Sequence, residues 1–245
     1  MVINPEKTKC MVVTTRQKHQ IQNLSLNLTL NRHTIEQVSD HRHLGVIIDD
    51  RLTWEKHINS LSKSVARNVY LLSQLTHVVN YEACSFFFHS HVMSLINYAS
   101  NLWDCCDDVH LKKLQSIHRR ALKLLQRVSN KSIDQHTNYI PLPLTNHLKH
   151  NKCVLMHKLI HGKCPIYLEQ TFETTLKYNT NSRHMTLIVP RPRIDLYKSS
   201  LRFSGTHAWN SLPKSLKGPF STKTFKNKLS LYLHSLESTW KQIDS

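Results

Sequence analysis

Lys112, Lys113, Arg119, Arg120, Lys123 and Arg127 stand in a stretch that has no Asp or Glu between residues 109 and 128. With about 3.6 residues per turn, positions 112, 116, 119, 120, 123 and 127 share one face of a helix. An unbroken row of cations suits a phosphate backbone, and each Arg can grip a phosphate through two N–H groups at once. A solvated helix face ordinarily mixes both signs of charge, whereas this face carries one. The following helical stretch repeats the theme with Lys149, Lys152 and Lys158 and with His147, His150, His157 and His161.

Other residue types invite chemistry and fall short of it. The doublet Asp49-Asp50 follows an apolar run, and adjacent carboxylates are candidates for divalent metal. Its position just before a helical pattern favours a capping role at the turn into that helix. Asp107-Asp108 precede the next helix, where negative charge suits the helix dipole. Six cysteines (10, 84, 105, 106, 153 and 164) include no C-x-x-C pair, and eighteen histidines supply only His41-x-His43 as a weak ligand pattern, so no metal site is expected. There is no G-x-S-x-G, and four glycines leave little from which to build a phosphate-binding loop.

The elements that must position the cations divide near residue 53. Cys10 to Thr15 is β-branched and reads as a buried strand. Leu24, Leu26, Leu28 and Leu30 alternate, which places four leucines on one strand face. Asn31-Arg32-His33 reads as a turn, followed by a short strand through Ile35 and Val38 and another over Leu44–Ile48. Gly45 permits a backbone conformation or a close approach that a side chain would forbid.

From Trp54 the apolar period becomes helical: Trp54, Ile58, Leu61, Val65, Val69, Leu72 and Leu75, with Thr53 as the expected N-cap. A second helix is predicted over 82–102. A third carries the stripe Leu111, Leu114, Ile117, Ala121, Leu124, Leu125 and Val128. Prolines 141 and 143 end the pattern, and a fourth helix over 146–161 stops at Gly162. Residues 163–200 read as an irregular connector, and a last helix is predicted over 221–237, capped by Ser221 or Thr222. The fold class expected is α+β, mostly α: a small antiparallel β part, a helical bundle, then an irregular extension with a last helix.

Four segments carry a resemblance. His43-Leu44-Gly45-Val46-Ile47-Ile48-Asp49 with Leu52-Thr53-Trp54 and His57-Ile58 resembles the region after the polymerase active site in reverse transcriptases of non-LTR (LINE-type, jockey/CR1-like) retrotransposons. Asn4-Pro5-Glu6-Lys7-Thr8-Lys9 is similar to that family's N-x-x-K-T-K segment. Leu111 to Leu122 resembles a basic thumb helix. Gly205, Ala208-Trp209-Asn210-Ser211-Leu212-Pro213 and Phe225-Lys226 resemble the C-terminal tail. The resemblance implies the end of a palm with its primer grip over 1–53, a thumb over 54–162 and a C-terminal extension over 163–245. It implies that His43, Leu44 and Gly45 set a primer end, and that Lys7 and Lys9 belong to a segment near nucleotide phosphates.

In the family, the catalytic Asp pair precedes N-x-x-K-T-K and binds Mg with a third carboxylate. Asp49-Asp50 follow that segment, so the chain alone is expected not to be an enzyme and to need no cofactor. It begins inside a strand-to-turn motif, as a truncated element or incomplete gene product would.

Lys and Arg total 33 against 16 Asp and Glu, a formal charge of +17. That excess favours polyanions, because each phosphate neutralised releases counterions. The expected partner is a primer–template, as RNA–DNA or DNA duplex, with the missing upstream polymerase part as a second. No small-molecule substrate is evident. No window approaches the roughly 20 apolar residues of a membrane span, and there is no secretory signal. An intracellular protein of cytoplasm or nucleus is expected. The alternatives are an independent helical module that docks an acidic protein, and the non-functional product of a decayed element.

Overall fold

The computed structural model describes residues 4–14, 26–130, 141–172 and 186–243. The architecture is mostly helical with a small β part at the amino end, as the patterning requires. Among the described residues the β part forms three two-stranded pairs. Strand β1 (Lys9–Cys10) pairs with β4 (Glu36–Gln37), β2 (Thr29–Leu30) with β3 (His33–Thr34), and β5 (Asp40–His43) with β6 (Val46–Asp49).

The expectation of an antiparallel β part holds for two pairs and fails for β1–β4, which is parallel. The turn at Asn31-Arg32 is as expected: φ is positive at both residues (50° and 67°), the requirement of a tight two-residue hairpin. The alternating leucines do not form one buried face. Leu26 and Leu28 are each 43 % exposed, β2 begins only at Thr29, and Leu24 lies outside the described residues. Alternation specifies a buried face only where a layer covers it. Met11–Thr14 likewise is not strand; Thr14 N–H donates instead to the Asp50 carbonyl at 3.1 Å.

Helix α1 (Glu55–Leu75) buries Ile58, Leu61, Val65, Val69 and Leu72. The predicted second helix is broken. It runs as α2 (Tyr81–Phe87), a π-helical turn (Phe88–Met93), α3 (Ser94–Asn97) and α4 (Ser100–Trp103). Tyr98 is extended and Ala99 left-handed (φ 52°), and Trp103 Nε1 donates to the Tyr98 carbonyl at 3.1 Å across the break. Helix α5 (Asp108–Ser129) carries the cations. Helix α6 (Leu144–Ile160) ends as predicted at Gly162: its φ is +61°, its N–H donates to Leu159 O, and Lys163 N–H donates to Lys158 O. This is the paired bonding of a Schellman end.

The stretch 163–200 holds more structure than an irregular connector, namely α7 (Ile166–Phe172) and α8 (Asp195–Lys198). Helix α9 (Leu201–Asn210) was not foreseen. Helix α10 (Thr222–Ile243) extends beyond the predicted end, and Ser221 Oγ accepts from Thr224 N–H at 3.1 Å as its cap.

Two apolar cores result. The first joins Val46 and Trp54 to the buried faces of α1, the π turn and α5. The second gathers Trp209, Leu212, Phe225, Leu229 and Leu233 around α6. Helix α6 sends Leu144 and Leu148 into the first core and Cys153, Met156 and Leu159 into the second. The tail residues are therefore packing residues. Gly205 lets α9 approach α6, since a Cβ there would lie 2.7 Å from Met156 Sδ. The Trp209 and Phe225 rings lie 5.8 Å apart, and Phe225 stacks on His157 at 4.3 Å. Asn210 accepts from Leu187 N–H and donates to Leu187 O, both at 2.9 Å, standing in for a strand neighbour.

The fourth helix repeats the cationic surface only in part: Lys149 and Lys158 are part-exposed, and the other groups are drawn into the fold. Lys152 pairs with Asp104 at 2.8 Å with little of either side chain exposed. His157 is fully buried, and His147 bonds to Asn97 Oδ1. Burial raises the Asp104 pKa even with Lys152 beside it. Removing one partner strands the other charge in the interior. Asp104→Ala should therefore cost about 3–5 kcal/mol in urea unfolding. His118 and His157 are both buried, and burial lowers each pKa to about 4. Below the ordinary value of 6.5 the unfolded chain binds protons that these rings refuse. Their share of stability should be intact at pH 7 and fall toward pH 5, by on the order of 1–2 kcal/mol per ring. Unfolding at the two pH values, with His118→Gln as control, measures it.

Candidate nucleic-acid interface

The cationic face begins with how α1 is started. β5 and β6 are joined by Leu44-Gly45, both at positive φ (45° and 85°). Gly45 supplies the backbone freedom, since an added Cβ would meet only Tyr98 Cε1 at an ordinary 3.6 Å. After β6 the chain turns through Leu52 (φ 52°) and Trp54 (φ 63°) before the helix. Asp49 holds this turn: its carboxylate accepts N–H bonds from Arg51 (3.1 Å), Thr53 (2.9 Å) and Trp54 (2.8 Å). The capping role expected of the doublet thus falls to Asp49, while Asp50 lies 4.0 Å from Arg51 Nε. Thr53 is not the N-cap. Trp54 occupies that position without a side-chain cap bond, and Thr53 Oγ1 accepts from Glu55 N–H at 3.4 Å.

Helix α1 packs along α5, and that packing turns the cations outward. Leu111, Leu114, His118, Ala121, Leu125 and Val128 face inward. Ile117 and Leu124 of the predicted stripe are partly buried, and His118 joins it, its ring 5.8 Å from Phe88. Lys112, Lys113, Arg119, Arg120, Lys123 and Arg127 are all exposed. Among the described residues no acid pairs with any of the six; Lys113 donates to Asn59 Oδ1 on α1 at 3.1 Å. Three lysines elsewhere are paired with an acid, Lys9 with Glu36, Lys56 with Asp40 and Lys152 with Asp104.

The other predicted contacts lie apart from α5 in the chain's architecture. Lys7 is exposed in a single 3-10 turn (Pro5–Lys7), and Lys9 is on β1, tied to Glu36. His43, Leu44 and Gly45 form the exposed hairpin tip. That tip leans on Tyr98, whose hydroxyl donates to the Leu44 carbonyl at 2.5 Å. Nothing in the sequence pointed to Tyr98, which reaches the tip only because the helix breaks beside it.

Sequence reasoning also missed a groove between the end of α1 and the second half of α5. It is lined by Ser73, Thr76 and His77 on one side and Arg120, Lys123 and Arg127 on the other, with a volume of 460 Å³.

Other chemistry finds little support. All six cysteines are free, and burial pushes the Cys106 and Cys153 thiols up to about 12, which disfavours nucleophilic thiolates. Among the described residues no three His, Cys, Asp or Glu are arranged to hold a metal, and no helix is long and apolar enough to cross a membrane. Asp49→Ala should leave three backbone donors at the α1 entrance without their acceptor and cost about 2–3 kcal/mol, read by urea unfolding. Compared with family models, curated proteins and solved structures, the chain matches none.

Proposed function

We propose that this chain binds primer–template nucleic acid, an RNA–DNA or DNA duplex, along the exposed face of α5. We read it as the C-terminal part of a LINE-type reverse transcriptase. The observation that carries the proposal is the row of six exposed cations on one helix, none of them in an ion pair with an acid among the described residues. A helix supported along its apolar face by α1 holds such a row straight, so successive phosphates meet successive charges. Recognition of this kind reads backbone shape and charge, with little base sequence. The formal charge of +17 adds a long-range pull toward any polyanion.

In this reading the hairpin tip at His43-Leu44-Gly45 presents its backbone to a primer end. Lys7 lies on the surface of the same β part. The chain alone does not polymerise, and the upstream polymerase part supplies the carboxylates and Mg. An acidic protein partner is the rival reading.

Hybrid-duplex binding, followed by fluorescence anisotropy across roughly 50–200 mM salt, tests the proposal. Affinity should fall with a logarithmic slope of about −4 to −5 if most of the six cations each neutralise one phosphate. Changing Lys112, Arg119 and Lys123 together to Ala should weaken binding and flatten that slope by about 2–3. A folded protein with no salt-dependent duplex binding, or with saturable and salt-insensitive binding to one acidic protein, would sink it.

A further inference from the structure

The groove between α1 and α5 has two unlike walls. On the α5 side stand Arg120, Lys123 and Arg127, exposed and without an acid partner among the described residues. On the α1 side the hydroxyls are already committed as donors. Ser73 Oγ donates to the Tyr70 carbonyl at 2.6 Å, and Thr76 Oγ1 donates to the Ser73 carbonyl at 2.7 Å. What each hydroxyl retains is acceptor capacity. This wall is also the last turn of α1, the negative end of its dipole. The groove thus offers positive charge from one side and hydrogen-bond acceptors from the other. Leu124 and Val128 contribute apolar surface between them.

A bare phosphate would satisfy the α5 wall and leave the Ser73 and Thr76 oxygens, which are free only to accept, without a donor. A ligand that suits both carries an anion at one end and a hydroxyl donor a sugar's width away. At 460 Å³ the groove falls within the roughly 300–1,000 Å³ usual for small-ligand sites. From these walls we infer that the groove is a subsite for one ribonucleotide unit. Its phosphate lies against Arg120, Lys123 and Arg127, and its ribose 2′-hydroxyl donates to Thr76 Oγ1 or Ser73 Oγ. The 2′-hydroxyl is the group that separates RNA from DNA, so the groove favours the RNA strand. This deepens the duplex-binding proposal and rests on it for the direction of the strand, while its own chemistry stands on the two walls.

The test titrates the full chain with adenosine 5′-monophosphate and with its 2′-deoxy analogue, by ligand-observed NMR. The ribonucleotide should bind about two- to tenfold more tightly, the worth of one net hydrogen bond. Thr76→Val should abolish that preference and leave deoxynucleotide binding unchanged; Ser73→Ala is the second probe should the first perturb folding. Changing Arg120 and Arg127 together to Ala should lower affinity for both nucleotides at least tenfold. Changing Lys112 and Arg119 to Ala should leave nucleotide binding alone while weakening hybrid-duplex binding.

Equal affinity for the two nucleotides overturns the ribose reading. Binding of neither overturns the subsite, whatever the duplex does. Nucleotide discrimination without duplex binding would remove the duplex-binding proposal and keep the groove.

Discussion

One carboxylate governs how the strand part of this protein becomes a helical one. Asp49 accepts three backbone N–H groups within five residues. It thereby fixes a turn in which Leu52 and Trp54 both adopt left-handed backbone. Each such residue costs on the order of 1 kcal/mol or more when it is not glycine. Charge-assisted bonds to a carboxylate, itself nearly buried, offset that cost. The result is directional. Trp54 enters the first core, α1 begins at Glu55 against β6, and His57 Nδ1 accepts the Ile47 N–H at 3.4 Å. Once α1 is aimed, α5 must lie along it to cover Ile58, Val65 and Leu72. The cations of α5 are then turned away from the core, and all six are exposed.

The cationic face was legible because two signals coincided on the same residues. The apolar period of α5 said which side is buried, and the lack of acids said what the other side carries. Asp49 was legible as a cap from its place before a helical run, although not the geometry that makes Trp54 rather than Thr53 the N-cap residue. What the sequence hid has a common cause in tertiary partners. The alternating leucines look like a buried strand, yet without a covering layer Leu26 and Leu28 stay half-exposed. Residues 82–102 look like one helix, but packing replaces a turn with π geometry and breaks the run at Tyr98-Ala99. Helix α9 escaped notice because Ser, Gly, Thr and His dilute its apolar period. Only contact with α6 makes Gly205 an asset there.

Helix α6 shows the limit of reading charge from composition. Both α5 and α6 carry lysines and histidines, yet the two helices place them differently. Helix α6 is packed on two sides, so Lys152 finds Asp104, and His157 lies between Phe225 and His161. A buried ion pair demands both of its members, which ties the registry of α6 to Asp104 at the end of α4. The groove beside α5 is the reverse case. Ser73, Thr76 and His77 are unremarkable at the end of a helix until Arg120 and Arg127 are set across from them.

Because α6 belongs to both cores, neither core can lose it and remain whole. Its first turns close the bundle that supports the cationic face, and its last turns are the floor on which α9 and α10 rest. A helix is cooperative along its length, so half of it cannot melt freely while the other half stays packed. The amides of α6 should therefore exchange with solvent only in openings that involve both cores, and the chain should behave as one unit of opening rather than two. The C-terminal segment then acts as a keel: far from the cations in sequence, it determines how long they stay aligned.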